Sequence, residues 1–244
     1  MVRPVRLWGA AAALATSLSV TTAAAQSAYR TLQPAGSGPF PAVMLVSGCS
    51  GFVAAGGINT FDEKAEQLRR DGWYVVFVDY LKRAGVKDCA SGLNPARAAA
   101  ELLTAAAWLR TQSAVDPRRI SAVGWSYGGG VILDALSTMS TDRPVFSKGV
   151  LIYPLCPIAA KAPAYVPMLM LLAGKDTVAP PAACQKVSAL LPAGMLEVVT
   201  YPDALHGFDQ RGLPEKTQYA FGTVGYSATA DHMAWQQIKA FLQK

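Results

Sequence analysis

The chain has 244 residues, 52% of them hydrophobic and 16% charged, with a formal net charge of +6. That length and apolar share exclude a disordered or fibrous chain and allow one full core. The basic residues are scattered, with no aromatics alternating among them, so the charge favours solubility and argues against a nucleic-acid partner.

The first 25 residues stand apart from the rest. Arg3 and Arg6 give a positive start, Leu7 to Val20 is an alanine- and leucine-rich run, and Ala23-Ala24-Ala25 offers small residues for cleavage before Gln26. This predicts a secretory signal peptide over 1–25, too short to span a membrane, followed by one domain over 26–244. The expected destination is secreted or periplasmic, and no membrane partner is expected for the mature form. Cleavage removes two arginines and no acidic residue, leaving a net charge of +4. Cys49, Cys89, Cys156 and Cys184 remain, an even number in an oxidising compartment, and all three pairings are open at this point. With no Cys-x-x-Cys and only His206 and His232, no zinc or other metal site is expected.

Tyr29 to Leu32 reads as a short edge strand, and Gly36, Gly38, Pro39 and Pro41 mark a turn. Ala42 to Val46 is uniformly apolar, as a central parallel strand buried on both faces should be, and ends in the polar loop Ser47-Gly48-Cys49-Ser50-Gly51. A helix is expected from Thr60 to about Arg70, with Thr60 and Glu63 as a capping box and Gly72 as its stop. Trp73 to Val78 is the next buried strand, and the segment from Lys82 to Gly92, holding Cys89, reads as loop. Asn94 caps a long helix with Pro95 at its first position, running to about Thr111. Asp116-Pro117 then turns the chain into a strand beginning at Ile120.

That strand leads into Gly124-Trp125-Ser126-Tyr127-Gly128-Gly129-Gly130, followed by an apolar stretch with helical spacing from Val131 to about Met139. The bare pattern Gly-x-Ser-x-Gly is weak evidence, and its flanks decide. A strand, a tight turn and a helix make a nucleophile elbow, in which small residues on either side of the serine let the backbone push the hydroxyl outward. Further strands are read at Gly149 to Tyr153, Pro167 to Ala173 and Leu196 to Tyr201, the last of the series. A helix from Pro180-Pro181 to about Leu191 precedes that last strand. Ala230, Met233, Ala234, Ile238, Phe241 and Leu242 stripe one face of a closing helix. Alternating strands and helices predict an α/β fold, a mostly parallel sheet with helices on both faces and its ligand at the carboxyl ends of the strands.

Two more segments share the elbow's placement. Asp176 follows the strand ending at Ala173, and His206 follows the one ending at Tyr201, so a parallel sheet puts Ser126, Asp176 and His206 on one edge. Their chain order is that of an α/β-hydrolase triad. A serine hydroxyl needs a base to remove its proton, a neutral histidine can do so near neutral pH, and a carboxylate fixes the tautomer of that histidine.

On Gly124-Trp125-Ser126-Tyr127-Gly128-Gly129, Ala173-Gly174-Lys175-Asp176 with Pro180, and His206-Gly207-Phe208, the chain resembles the dienelactone hydrolase family of α/β-hydrolases. Founding members carry cysteine as nucleophile where this chain has Ser126, as many relatives do. A loop that often starts His-Gly in relatives is Ser47-Gly48 here. The resemblance implies hydrolysis of carboxylic esters or lactones through an acyl-enzyme, with no cofactor and a small-molecule partner. It also implies an oxyanion hole from the backbone N–H groups of Tyr127 and Cys49. It leaves monomer and homodimer both open, with a peptidase of the same fold or a silent binding protein as alternatives.

In the same light Cys49 pairs with Cys89 and Cys156 with Cys184, since each pair follows strands expected to be neighbours. Only 13 residues, Pro154 to Val166, separate two of the strands, too few for a cap domain. An open mouth is therefore expected, lined by Phe52, Trp125, Tyr127, Cys156, Leu205 and Phe208.

Overall fold

A computed structural model describes residues 29–139, 144–156 and 166–244. The expected signal peptide over 1–25 and most of the segment linking the strands at 152 and 168 lie outside the described residues.

Seven strands form one sheet. In chain order they are β1 (Arg30–Leu32), β2 (Phe40–Val46), β3 (Tyr74–Val78), β4 (Val115–Trp125), β5 (Lys148–Ile152), β6 (Met168–Ala173) and β7 (Leu196–Tyr201). Their spatial order is β1-β3-β2-β4-β5-β6-β7, with β1 antiparallel and every other neighbour parallel. β2 and β4 therefore sit in the middle, as the apolar uniformity of β2 implies, while β4 is buried only from Ile120 onward apart from Val115. The alternation of side chains sorts the core into two halves. Ala42, Met44 and Val46 of β2 face one half, Val43 and Leu45 the other.

The first half is closed by α3 (Pro95–Leu109) and α4 (Tyr127–Thr138), through residues such as Leu102, Leu109, Ile132 and Leu136. α5 (Pro181–Ser188) adds Cys184 and Val187 to it. The second half is closed by α1 (Thr60–Arg70) and α6 (Ala228–Gln243), through Phe61, Ala65, Leu68, Ala230, Ala234 and Ile238. Helices thus cover both faces, and among the described residues the sheet carries no large cap domain.

Several local readings need correction. The N-cap of α1 is Asn59, whose side chain accepts from the Asp62 N–H at 3.2 Å. Thr60 is already helical, and its hydroxyl accepts from the Arg211 N–H instead. The chain is in β4 from Val115, before Asp116-Pro117. Phe40 pairs with Val115 and Ala42 with Ile120, so the expected turn is an irregularity inside a longer strand. Part of the expected loop is a short helix, α2 (Tyr80–Ala84), capped by Asp79. In α6, Met233 is exposed, and Trp235 turns inward beside α1, donating to Gln67. β7 is not the last strand either: β8 (Thr217–Tyr219) and β9 (Gly222–Val224) form an antiparallel hairpin before α6.

Candidate active site

Ser126 stands between β4 and α4 with φ 52° and ψ −117°. A positive φ is costly for a residue bearing a Cβ, and such strain persists only where neighbours over-determine it. Here they do. The Ser126 N–H donates to the Ile152 carbonyl, while its own carbonyl accepts from Gly129 and Leu155. The flanking glycines are needed for contact. A Cβ on Gly124 would lie 2.5 Å from the Gly128 carbonyl oxygen, and one on Gly128 would lie 2.3 Å from those of Val46 and Ser47. Gly128→Ala is therefore expected to destabilise the fold by roughly 2–4 kcal/mol, because backbone rather than a yielding side chain meets the methyl. Urea unfolding measures it, and a loss below about 0.5 kcal/mol would contradict the packing described.

The three side chains expected on one sheet edge converge. His206 Nε2 lies 2.9 Å from Ser126 Oγ, and His206 Nδ1 lies 2.7 Å from Asp176 Oδ2. Asp176 Oδ1 also accepts from the Val178 and Ala179 N–H groups at 2.8 and 2.7 Å, so one carboxylate holds its own turn and faces the imidazole. Asp176 and His206 are buried, and Ser126 is half-buried. A hydroxyl, an imidazole and a carboxylate in series can pass a proton from the hydroxyl to the ring while the carboxylate steadies the ring's tautomer.

The hairpin β8–β9 ties these loops together. His206 bridges Val224 in a parallel register, its carbonyl accepts from Gly225, and the Thr223 N–H donates to Thr177 Oγ1. Two three-residue strands around Ala220-Phe221 carry little periodic signal, which is why this brace is invisible in the sequence.

The loop after β2 lies against the elbow: a Cβ on Gly48 would be 3.5 Å from Ser126 Cβ. Tyr127 is the first residue of α4, where backbone N–H groups have no partner within the helix. The Tyr127 and Cys49 N–H groups thus belong to two segments that meet at Ser126. Cys49 is disulfide-bonded to Cys89, and Cys156 to Cys184, with Cα separations of 4.8 and 5.1 Å. Both expected pairings are present, and they are consistent with an extracytoplasmic environment.

The residues expected to wall the mouth differ in burial. Phe52 and Leu205 are half-buried. Trp125, Cys156 and Phe208 are buried in the core, as is the ring of Tyr127. Alternation along β4 explains Trp125. It points into the α1/α6 half, where its indole N–H donates to Asp209 at 2.7 Å. Sequence reasoning overlooked Asp209 and Tyr153. The Tyr153 hydroxyl donates to Asp209 at 2.5 Å, and its ring packs on that of His206 with centroids 4.6 Å apart. Burial first, and the adjacent Asp209 carboxylate second, push the Tyr153 hydroxyl well above its ordinary pKa, so it stays a donor.

From residue 28 to 244 the chain matches the dienelactone hydrolase family. It belongs to that family. Among solved structures it is similar to a Klebsiella pneumoniae protein named as a dienelactone hydrolase, at 20% identity and TM-score 0.69, over 86% of this chain and 89% of that one. It is also similar to esterase 2 of Thermogutta terrifontis, solved phosphonylated by cyclosarin, at 16% identity and TM-score 0.66, over 88% and 87%. Est1E of Butyrivibrio proteoclasticus, solved with ferulic acid, matches at 13% identity and TM-score 0.64, over 88% and 93%. At these identities the likeness is one of fold. No curated protein sequence matches significantly. A dienelactone-hydrolase-family chain is an α/β-hydrolase, and its hydrolase character follows at that level. Among the described residues no helix is long and apolar enough to cross a membrane.

Proposed function

We propose that this dienelactone-hydrolase-family protein cleaves carboxylic ester or lactone bonds with Ser126, His206 and Asp176 as its triad. The observation that carries the reading is the unbroken pair of contacts, 2.9 and 2.7 Å, from Ser126 through His206 to Asp176. Ser126 Oγ attacks the carbonyl carbon while His206 Nε2 takes its proton, and Asp176 stabilises the imidazolium formed. The tetrahedral oxygen gains its negative charge beside the Tyr127 and Cys49 N–H groups, fixed donors that require no reorganisation as the charge develops. His206 returns the proton to the departing alcohol, which leaves an acyl group on Ser126. Water then repeats the attack by the same route.

Ester rather than amide substrates are favoured by one fold neighbour named as an esterase and solved phosphonylated, and by another solved with ferulic acid. With no large cap among the described residues, small esters and exposed ends of larger ones have access. The protein is proposed to act in the periplasm or outside the cell, after cleavage behind Ala25. Two disulfides and the charged, then apolar, start of the chain support that location.

The test is a panel of p-nitrophenyl esters of graded acyl length with lactones of matching size, run beside fluorophosphonate labelling. Turnover of at least one class and a single label on Ser126 are expected. Labelling with no turnover of any ester or lactone, but cleavage of peptide substrates, would replace this reading with a peptidase.

A further inference from the structure

Tyr80 is 1% exposed, opens α2 and takes no part in the proton path. Its hydroxyl nevertheless reaches the loop beside Ser126, 2.8 Å from the Ser47 carbonyl oxygen and 2.9 Å from that of Gly48. We propose that Tyr80 is a positioning residue of the oxyanion hole, its hydroxyl fixing the peptide plane that carries the Cys49 N–H. The proposal rests on the reading of that N–H as an oxyanion donor.

The argument is one of peptide geometry. The Gly48 carbonyl and the Cys49 N–H belong to the same planar, trans peptide unit, so they point in opposite directions. A donor that holds the carbonyl from one side therefore fixes where the N–H points on the other. Loops next to a helix end are free to rock about their dihedrals, and a glycine at position 48 does nothing to prevent it. Three contacts do: the Tyr80 hydroxyl, its one proton shared between the Ser47 and Gly48 carbonyls, and the Gly51 N–H hold the Gly48 carbonyl, and the Cys89 N–H holds that of Cys49 at 3.0 Å. The Cys49–Cys89 disulfide ties the same residue by its side chain.

Tyr80 also touches the second donor segment. Its ring stacks on that of Tyr127, with centroids 6.0 Å apart and planes 27° from parallel. One side chain thus braces both residues whose N–H groups would meet the oxyanion. Burial keeps its hydroxyl protonated and hence a donor. Fixed donors are the dominant contribution to stabilising such a transition state, and small misplacements are costly.

The experiment compares wild type and Tyr80→Phe on a matched pair of substrates, an ester and its thionoester, whose sulfur makes poorer use of N–H donors. Rates are expressed per active site counted with a fluorophosphonate, so misfolded molecules drop out. The expected result is a roughly tenfold fall in kcat for the ester with KM held within about twofold. The ester-to-thionoester ratio should shrink by about fivefold, as loss of oxyanion stabilisation requires. An unchanged kcat overturns the proposal. So does an equal fall for both substrates, or a variant with no countable sites, since either assigns the hydroxyl to the fold. Failure of the ester-hydrolase reading looks different: the wild type itself would then show no Ser126-dependent turnover, and both would fall together.

Discussion

Ser126→Ala is expected to lower ester turnover by at least about a thousandfold, because removing a triad member normally costs several powers of ten. The melting temperature should stay within about 2 °C, in line with a substitution away from core packing. The two expectations come from the same feature. Ser126 is half-buried, and its Oγ contacts His206 rather than filling a core site. The strained turn is held by backbone bonds to Ile152, Gly129 and Leu155, none of which needs the hydroxyl. Alanine also keeps the Cβ, so the positive φ costs no more than before. Fluorophosphonate labelling should disappear with the turnover. Retention of more than about one-hundredth of the wild-type rate, after background subtraction, would remove Ser126 from the mechanism.

What the sequence reveals and what it hides divide along physical lines. β2, β3 and β6 are legible because a parallel strand buried on both faces must be apolar throughout. The convergence of Ser126, Asp176 and His206 is legible because a parallel sheet delivers the residues after its strands to one edge. Single-face assignments are less secure. In the closing helix Met233 and Trp235, two residues apart, flank the apolar stripe on nearly opposite sides, and only contact with α1 decides that Trp235 turns inward. Likewise Trp125 sits one residue before the elbow and reads as lining the mouth, but strand alternation sends it into the core. Asp209 was hidden for a different reason. A carboxylate after His206-Gly207-Phe208 reads as solvated, and only the folded chain brings residues 64, 125 and 153 around it.

The last expectation concerns that carboxylate. Asp209 is 2% exposed and accepts from the Trp125 indole N–H and the Tyr153 hydroxyl, at 2.7 and 2.5 Å. The Lys64 ammonium, itself buried, lies 3.7 Å from it and 2.6 Å from Asp231. Asp209→Ala leaves two buried donors without an acceptor and half-uncovers a buried cation. Orphaning each donor costs about 1–3 kcal/mol and breaking a buried ion pair about 3–5, but the terms overlap and Asp231 still neutralises Lys64. A net loss of about 3–5 kcal/mol is expected, or roughly 6–20 °C in melting temperature for a chain of this size. Asp209→Asn keeps one acceptor oxygen and turns its NH2 toward the other donor, so about 2 kcal/mol is expected there. Activity should fall more in the alanine variant, because the Tyr153 ring packs on His206 and loses its anchor when Asp209 goes. Urea unfolding of both variants, with turnover measured on the folded fraction, checks the order. If alanine costs less than asparagine, the network is a tolerated burial of charge, and the two donors find water instead.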